Sequence, residues 1–407
     1  MHVVVLPSTQ LTSADYLTIP AKAANGGEVP VARVGHSAAV IDTCIYVFGG
    51  RGGPDMAALE ENGRVWCFDT RTDTWSHLDL ADGSPYPEVR SYHTATATSF
   101  PLPSNATPNI SNVLLNEKPQ SIADLPEPPA AATYGTLFIH AGCLSSGGRT
   151  SDLWAFDISS RTWAQFPSAP GAPRGGTSLV MVRDRLYRFG GFNGKTEEGG
   201  QIDFLDVNTQ DTANGKGGAG QSMALSPRGE WRSNIFAPES DKDDKGGNRT
   251  APANRSVLGL APVTTGQGRE YLLIICGEGE ASTVGHAGAG RFFDDVWSFE
   301  LKPEGGTAAS VKDATREYVL NRGTGEATCV EVKYLHGDQG NDAEKEGVSL
   351  GEGGGRMAQE GQEKPMGRRG WFSCSPCEDL GGGSVLVWGG IDESNERLGD
   401  GWIITVE

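Results

Sequence analysis

A glycine-rich loop between residues 277 and 290 brings two carboxylates and an imidazole close together in the sequence. Glu278 and Glu280 precede His286 within this loop. Fe(II) accepts carboxylate and histidine ligands while leaving coordination positions open for a substrate. The loop could therefore hold a metal ion. The alternative is a purely structural loop in which His286 donates a hydrogen bond to the backbone.

Two arginines follow glycines at other points of the chain, Arg51 after Gly50 and Arg149 after Gly148. Two guanidinium groups that face one channel could clamp a sulfate, a phosphate or a carboxylate. The alternative is ion pairing with surface carboxylates, because the chain has 52 acidic residues against 34 Lys and Arg.

Charge and cysteine content restrict the class of protein. The net charge of -18 argues against nucleic acid and against anionic membrane surfaces as partners. Seven cysteines, an odd number, predict reduced thiols and an intracellular protein, in the cytoplasm and with the nucleus also open. Cys374 and Cys377 have CxxC spacing without a second pair, so buried thiols are favoured over a zinc site.

The elements that position these residues form a repeat. Short apolar runs end in a glycine pair or its remnant at residues 45–50, 137–142, 186–191, 273–278 and 385–390. Aromatic-Asp strands follow, as at residues 65–69 and 153–157. Each repeat opens with an arginine, and these are expected to pack between repeats: Arg33, Arg90, Arg174, Arg255 and Arg369. Trp66, Trp75, Trp154, Trp163 and Trp297 are predicted core residues.

Four strands per repeat predict an all-β kelch β-propeller that forms one domain over residues 1–407. We expect five full repeats plus an N-terminal partial repeat, in a five-bladed or incomplete six-bladed ring. Polar segments near 101–132, 208–254 and 302–364 are predicted to be flexible insertions. The last repeat ends with its third strand at 402–406, so residues 16–19 are expected to donate a fourth, with 2–6 as an extra strand before it.

Strand order also predicts which loops share a face. In a meander, the loops that join second and third strands all lie at the same end of their sheets. One mouth is therefore expected to be ringed by Arg51, Arg149, Lys195, Glu278, His286 and Asp392. A mouth lined by polar groups is a natural site for a small ligand.

Four stretches resemble the kelch family of plant specifier proteins, which comprises nitrile-specifier, epithiospecifier and thiocyanate-forming proteins, and their fungal relatives. The match is carried by residues 90–93, by 174–176 with 190–194, by 255–257 with the 278–290 loop, and by 369–371 with 388–390. The resemblance implies an activity on unstable aglucones released from glucosinolates, assisted by Fe(II).

The resemblance also implies roles for single residues. The metal positions would be Glu278, Ser282 and His286, with serine where the family has aspartate, and Glu280 could substitute for the missing carboxylate. The family's substrate-sulfate arginines match Arg51 and Arg149.

Three functions stay open at the level of the sequence. The first is a lyase-like or product-directing Fe(II)-dependent factor that acts on a small, sulfur- or nitrogen-containing metabolite. The second is a scaffold that binds a protein partner through its loops. The third is a non-catalytic binder of an anionic metabolite.

Overall fold

The computed structural model describes residues 2–5, 15–102, 133–211, 223–236, 250–266, 268–283, 288–303, 307–319, 327–333, 366–377 and 382–406. The chain divides into two compact units. The first contains residues 1–169 and 206–230, and the second contains 170–205 and 231–407.

Five sheets follow one another along the chain, and each keeps its strands in sequence order. Sheet I contains Ser37–Ile41, Cys44–Phe48, Val65–Asp69 and Thr74–Leu78, and sheet II contains Thr94–Thr98, Thr136–His140, Leu153–Asp157 and Thr162–Phe166. Sheet III contains Ser178–Val182, Arg185–Phe189, Gln201–Asp211 and Met223–Ile235. Sheet IV contains Gly259–Thr264, Glu270–Ile275, Val296–Glu300 and Cys329–Glu331, and sheet V contains Ser373–Pro376, Ser384–Trp388 and Gly401–Thr405.

Short elements complete the described structure. Strands of two to four residues form small sheets: His2–Val5 pairs with Asp15–Thr18, Arg90–Ser91 with Cys143–Leu144, and Glu278–Glu280 with Arg291–Phe292. In a further small sheet, Arg51–Gly52 lies between Arg33–Val34 and Ala57–Ala58 and pairs with both. Helical turns occur at Ala24–Gly26, Ala308–Ala314 and Thr315–Val319. Within the described ranges, no helix has the length and apolar character needed to cross a membrane.

Apolar side chains that alternate along the strands form the core of each unit. In the first unit, sheets I and II share a cluster that includes Tyr46, Phe48, Phe156 and Trp163. Sheets III and IV share a second cluster, and sheets IV and V a third. Of the five tryptophans predicted to be core, four are buried and Trp75 is half-buried.

The repeat predicted from the sequence is therefore confirmed at the level of its sheets. The predicted strand over residues 65–69 has the same bounds in the structure. The expectation that 208–254 and 302–364 are flexible insertions is corrected in part. They contain the strands Met223–Ile235 and Cys329–Glu331, which are the fourth strands of sheets III and IV. These outer strands have few buried apolar residues, so the alternating pattern that predicts a strand is weak in them. Of the predicted insertion near 101–132, residues 103–132 lie outside the described structure.

The predicted donation of a strand by residues 16–19 is wrong for the described residues. Asp15–Thr18 pairs with His2–Val5 in a two-stranded sheet, and sheet V has three strands. A neighbouring segment in the sequence closes a hairpin more readily than a segment almost 400 residues away, because short loops lose less chain entropy.

Candidate functional site

The repeat-opening arginines form the framework on which the loops rest. Arg90 donates from Nη1 and Nη2 to the Asp152 carboxylate at 2.6 and 2.9 Å, and from Nη1 to the Ala141 carbonyl at 3.1 Å. Its Nε donates to the Glu88 carbonyl at 2.9 Å. The Arg90 guanidinium is buried, so these bonds replace the water it has lost.

The other four arginines bind in the same way. The acidic partners are Glu61 for Arg33, Glu198 for Arg174, Asp295 for Arg255 and Asp400 for Arg369. The expected packing between repeats stays a prediction. Each guanidinium is bonded to a carboxylate of its own repeat, because a buried charge requires a paired counter-charge within hydrogen-bond reach.

Sequence reasoning missed these acids, although a signal was available. The carboxylate lies two residues before a tryptophan in three repeats, and the indole Nε1 donates to it: Trp154 to Asp152, Trp297 to Asp295 and Trp402 to Asp400. In the first repeat, Trp66 donates instead to Glu61, five residues earlier. A longer side chain placed further away thus reaches the same point.

The third repeat departs from this pattern. A fully buried Arg188 donates to Asp203, and Asp203 takes the strand position that tryptophan has in the other repeats. Asp203 also accepts from Gln201 and Ser233, each at 2.6 Å. Burial and the nearby Arg188 charge lower the pKa of Arg174 to about 10.

The loops that follow the glycines start at one shared position. In every repeat, the residue after the opening arginine pairs in the backbone ladder with the residue after the glycines. The pairs are Val34 with Arg51, Ser91 with Cys143, Gly175 with Phe192, Ser256 with Glu278, and Gly370 with Ile391. Arg51 and Glu278 therefore occupy equivalent places in the first and fourth repeats.

Arg51 lies in the first unit beside residues of the second repeat. Its Nη2 donates to Ser91 Oγ at 3.0 Å, and its guanidinium carbon lies 5.0 Å from the centre of the Tyr92 ring. Its buried Nε has no hydrogen-bond partner among the described residues. Arg51 differs in this respect from the repeat-opening arginines, each of which binds a carboxylate.

Arg149 belongs to the corresponding small ladder of the second repeat. It forms an antiparallel bridge with Cys143, which pairs with Ser91, the residue that receives the hydrogen bond of Arg51. The two predicted anion-binding arginines thus belong to two small ladders of the first unit, which the hydrogen bond from Arg51 to Ser91 connects.

Glu278 is held by the backbone of its own loop. The side chain is buried, and backbone amides of Ser282 and Gly290 donate to its carboxylate. Burial raises the pKa of Glu278, while the two amides oppose this effect. The backbone amide of Ser282, rather than its side chain, makes the contact that the structure describes. Glu280 is exposed and forms an ion pair with Arg291 at 3.4 Å.

The described residues do not assemble a metal centre in this loop. Nowhere in the described ranges do three His, Cys, Asp or Glu side chains gather with a geometry that could hold a metal ion. His286 lies outside the described residues. The carboxylate of Glu278 is already occupied by amides and Glu280 by a guanidinium, so the described donors do not fit Fe(II) as they stand.

The other predicted rim residues lie in turns. Asp392 Oδ1 accepts from the backbone amides of Ser394 and Glu396, each at 2.9 Å. Lys195 is exposed, and its backbone amide donates to Asn193 Oδ1 at 2.8 Å. Arg51 and Arg149 belong to the first unit, whereas Lys195, Glu278 and Asp392 belong to the second. The single shared mouth stays a prediction.

A buried histidine in the first unit was not recognised from the sequence. His93 is 7% exposed, and its ring meets Phe48 edge to face at 5.6 Å. Burial and the charge of Arg90 lower the pKa of His93 to about 3. The ring is therefore neutral near pH 7. Its position, three residues after Arg90, is shared by Leu258 after Arg255.

The two cysteines of the CxxC pair are half-buried, whereas buried thiols were predicted. Burial raises the pKa of Cys374 to about 11, which disfavours the thiolate that zinc requires. All seven cysteines are free thiols.

Comparison with known proteins points to one repeat family. The Kelch motif matches residues 32–78, which contain the arginine of the first repeat and the whole of sheet I. Kelch domain-containing protein 3 of Rattus norvegicus, Mus musculus and Homo sapiens is 30% identical over 209 residues, covering 44% of this chain and 53% of each relative. The chain thus spans about half the length of these curated relatives.

A solved structure supports the same fold. The structure of YjhT aligns with a TM-score of 0.51 at 13% identity and covers 100% of this chain and 88% of its own. This likeness concerns the fold alone. The chain thus contains a Kelch motif over residues 32–78, and its five successive antiparallel sheets have a fold similar to that of YjhT.

Proposed function

We propose that this kelch-repeat protein binds a small anionic metabolite at Arg51. One observation carries the proposal: Arg51 is a half-buried arginine that contacts a hydroxyl and an aromatic ring, and it forms no ion pair among the described residues. A half-buried arginine without a counter-charge would be stabilised by an anion, so a ligand oxygen that accepts from the accessible part of the guanidinium is favoured.

The surroundings of Arg51 favour an anion. Ser91 Oγ fixes one side of the guanidinium and the Tyr92 ring covers a face, which leaves the remaining N–H groups to bind in the plane. Sulfate, phosphate and carboxylate groups present oxygens at the spacing of that fork. Arg149 belongs to the adjoining ladder and is proposed as the second cation of the same site.

The test is calorimetric titration of the purified protein with sulfate, phosphate and a simple carboxylate at low salt. Arg51→Ala should weaken binding by at least about tenfold, because a hydrogen bond to a charged group is lost. Arg149→Ala should weaken it in the same direction. Arg71→Ala is the matched control, since it removes an equal charge from an exposed site in the same unit. Equal loss in Arg51→Ala and Arg71→Ala would reduce the effect to general electrostatics and contradict the proposal.

A specifier-type reaction at a second site is the reactive form of this hypothesis. It requires Fe(II) at Glu278 and His286, with Ser282 or Glu280 completing the set. It is motivated by the resemblance in the mouth loops and by the buried carboxylate of Glu278. Such a site requires Glu278 to exchange its amide partners for the metal. Anaerobic Fe(II) titration checks it, and unchanged metal binding in Glu278→Gln or His286→Ala would refute it.

Seven free thiols are compatible with a reducing compartment, so the cytoplasm, with the nucleus also open, is the proposed location.

A protein partner bound through the long insertions is the competing function. Pull-down with and without residues 302–364 separates it from metabolite binding.

A further inference from the structure

One backbone position is left-handed in all five repeats. The second residue after each repeat-opening arginine has a φ of 62° at Gly35, 56° at Tyr92, 61° at Gly176, 47° at Val257 and 60° at Trp371. Glycine adopts this conformation without strain, and it is present in two repeats. Tyrosine, valine and tryptophan are strained in this conformation, so their presence is explained by what their side chains contact and not by the backbone.

Packing accounts for Val257. Its methyl groups lie against the α-carbons of Gly176 and Gly370, since a Cβ added to either glycine would approach them to 2.9 and 3.1 Å. Val257 thus fills space between neighbouring repeats of the second unit.

Tyr92 has a different environment. Its ring lies over Gly35, where an added Cβ would come within 2.9 Å of Cε1, and under the Arg51 guanidinium at 5.0 Å. Ser91, the residue before it, accepts the hydrogen bond of Arg51. The strained backbone therefore places one aromatic ring against the arginine that the proposed function assigns to the ligand. The ring is half-buried and keeps some contact with solvent.

We infer that Tyr92 is a ligand-contacting and specificity-determining residue, which selects anions carried on an apolar or aromatic group over bare anions. The inference rests on the proposed function of Arg51. In this arrangement the guanidinium binds the anionic head, and the exposed part of the phenol ring forms an apolar wall beside the group that carries it. An aromatic ring prefers stacked or edge-to-face contact with such a group, and small inorganic anions gain nothing from it.

Two sulfate esters that share a head group test this inference. Phenyl sulfate and methyl sulfate are titrated calorimetrically into the wild-type protein, Tyr92→Gly, Tyr92→Phe and Val257→Gly. The wild type should bind phenyl sulfate about fivefold more tightly than methyl sulfate, a ratio typical of one aromatic contact. Tyr92→Gly should abolish the preference and leave methyl sulfate affinity within about twofold, and Tyr92→Phe should retain it. Val257→Gly relieves the same strain in the second unit and should leave both affinities unchanged.

The outcomes separate this inference from the proposal on which it rests. If the wild type binds neither ester, the anion site at Arg51 is refuted, and the inference is refuted with it. If both esters bind with dependence on Arg51 but without preference, or if the preference survives in Tyr92→Gly, only the role of Tyr92 is refuted. Tyr92→Asn provides a second variant should Tyr92→Gly unfold, because asparagine tolerates the left-handed conformation and lacks the ring.

Discussion

At the scale of single residues, some arginines pair with a carboxylate of their own repeat, and others form no ion pair among the described residues. Arg255 is of the first kind: it is buried, it binds Asp295, and Trp297 donates to the same carboxylate. Arg51 is of the second kind. Residue type alone does not separate the two, but their positions in the repeat do, because Arg255 opens a repeat and Arg51 follows a glycine pair.

Replacing Asp295 by asparagine should destabilise the second unit strongly. The substitution keeps the shape of the side chain but leaves the Arg255 charge buried without a counter-charge, which costs about 3–5 kcal/mol. Glu280→Gln breaks an exposed pair with Arg291 and should cost less than about 1 kcal/mol. Urea unfolding of both variants measures the free energies. Equal small effects would show that the buried pair is not part of the framework.

His93 should make the first unit sensitive to mild acid. Its pKa is about 3 in the folded protein against 6.5 for an ordinary histidine, so the folded state resists protonation. Its contribution is complete above pH 6.5 and is lost as the pH falls toward 3. At pH 5 the loss should be about 2 kcal/mol. His93→Leu, the residue of the fourth repeat at this position, should flatten the pH dependence of unfolding between pH 6.5 and 4.5. An unchanged slope would contradict this assignment.

At the scale of elements, the sheets share one internal pattern, and sheet III breaks it. Arg188 and Asp203 lie where the second sheet has Ile139 and Trp154. The ion pair is buried and additionally bonded to Pro170, Gln201 and Ser233. Arg188 Nη1 is buried and has no hydrogen-bond partner among the described residues. Removal of either member of the pair would leave the other as a buried charge without a counter-charge.

A double replacement should therefore be tolerated better than a single one. Asp203→Asn alone should cost about 3 kcal/mol or more, because Arg188 is fully buried. Arg188→Met combined with Asp203→Leu replaces the pair by apolar side chains and should stay within about 1 kcal/mol of the wild type. Chemical denaturation of the three proteins measures this. A double variant less stable than the single one would show that the ion pair stabilises the fold more than apolar side chains at the same positions do.

Elements were predictable where their side chains alternate strongly. The strand Val65–Asp69 is almost wholly buried and was predicted with its bounds, whereas the outer strand Met223–Ile235 is largely polar and was taken for an insertion. The contact of Arg51 with Ser91 could not be predicted, since it joins residues 40 positions apart in two repeats. The burial of Glu278 also escaped the sequence, because it depends on amides supplied by a loop that folds back on itself.

At the scale of the whole molecule, all seven cysteines are free thiols, and their reaction with a thiol reagent can be counted directly. Cys44, Cys67 and Cys276 are buried, and burial raises the pKa of Cys276 and Cys329 to about 12. A thiol reagent at pH 8 should therefore react first with the half-buried Cys143 and Cys377. In urea without reductant all seven thiols should react. A lower number would reveal a disulfide and contradict the reduced state.

The left-handed residues connect neighbouring repeats through their backbones. The amide of Tyr92 donates to the Gly35 carbonyl at 2.7 Å in the first unit, and in the second unit Val257 donates to Gly176 at 2.7 Å and Trp371 to Val257 at 3.1 Å. Each bond joins the same position of two successive repeats and does not depend on side-chain identity. These amides lie outside the five sheets, yet they should exchange with deuterium as slowly as strand amides, since they open only when two repeats separate. Neighbouring repeats of each unit should accordingly lose protection together, as one cooperative step.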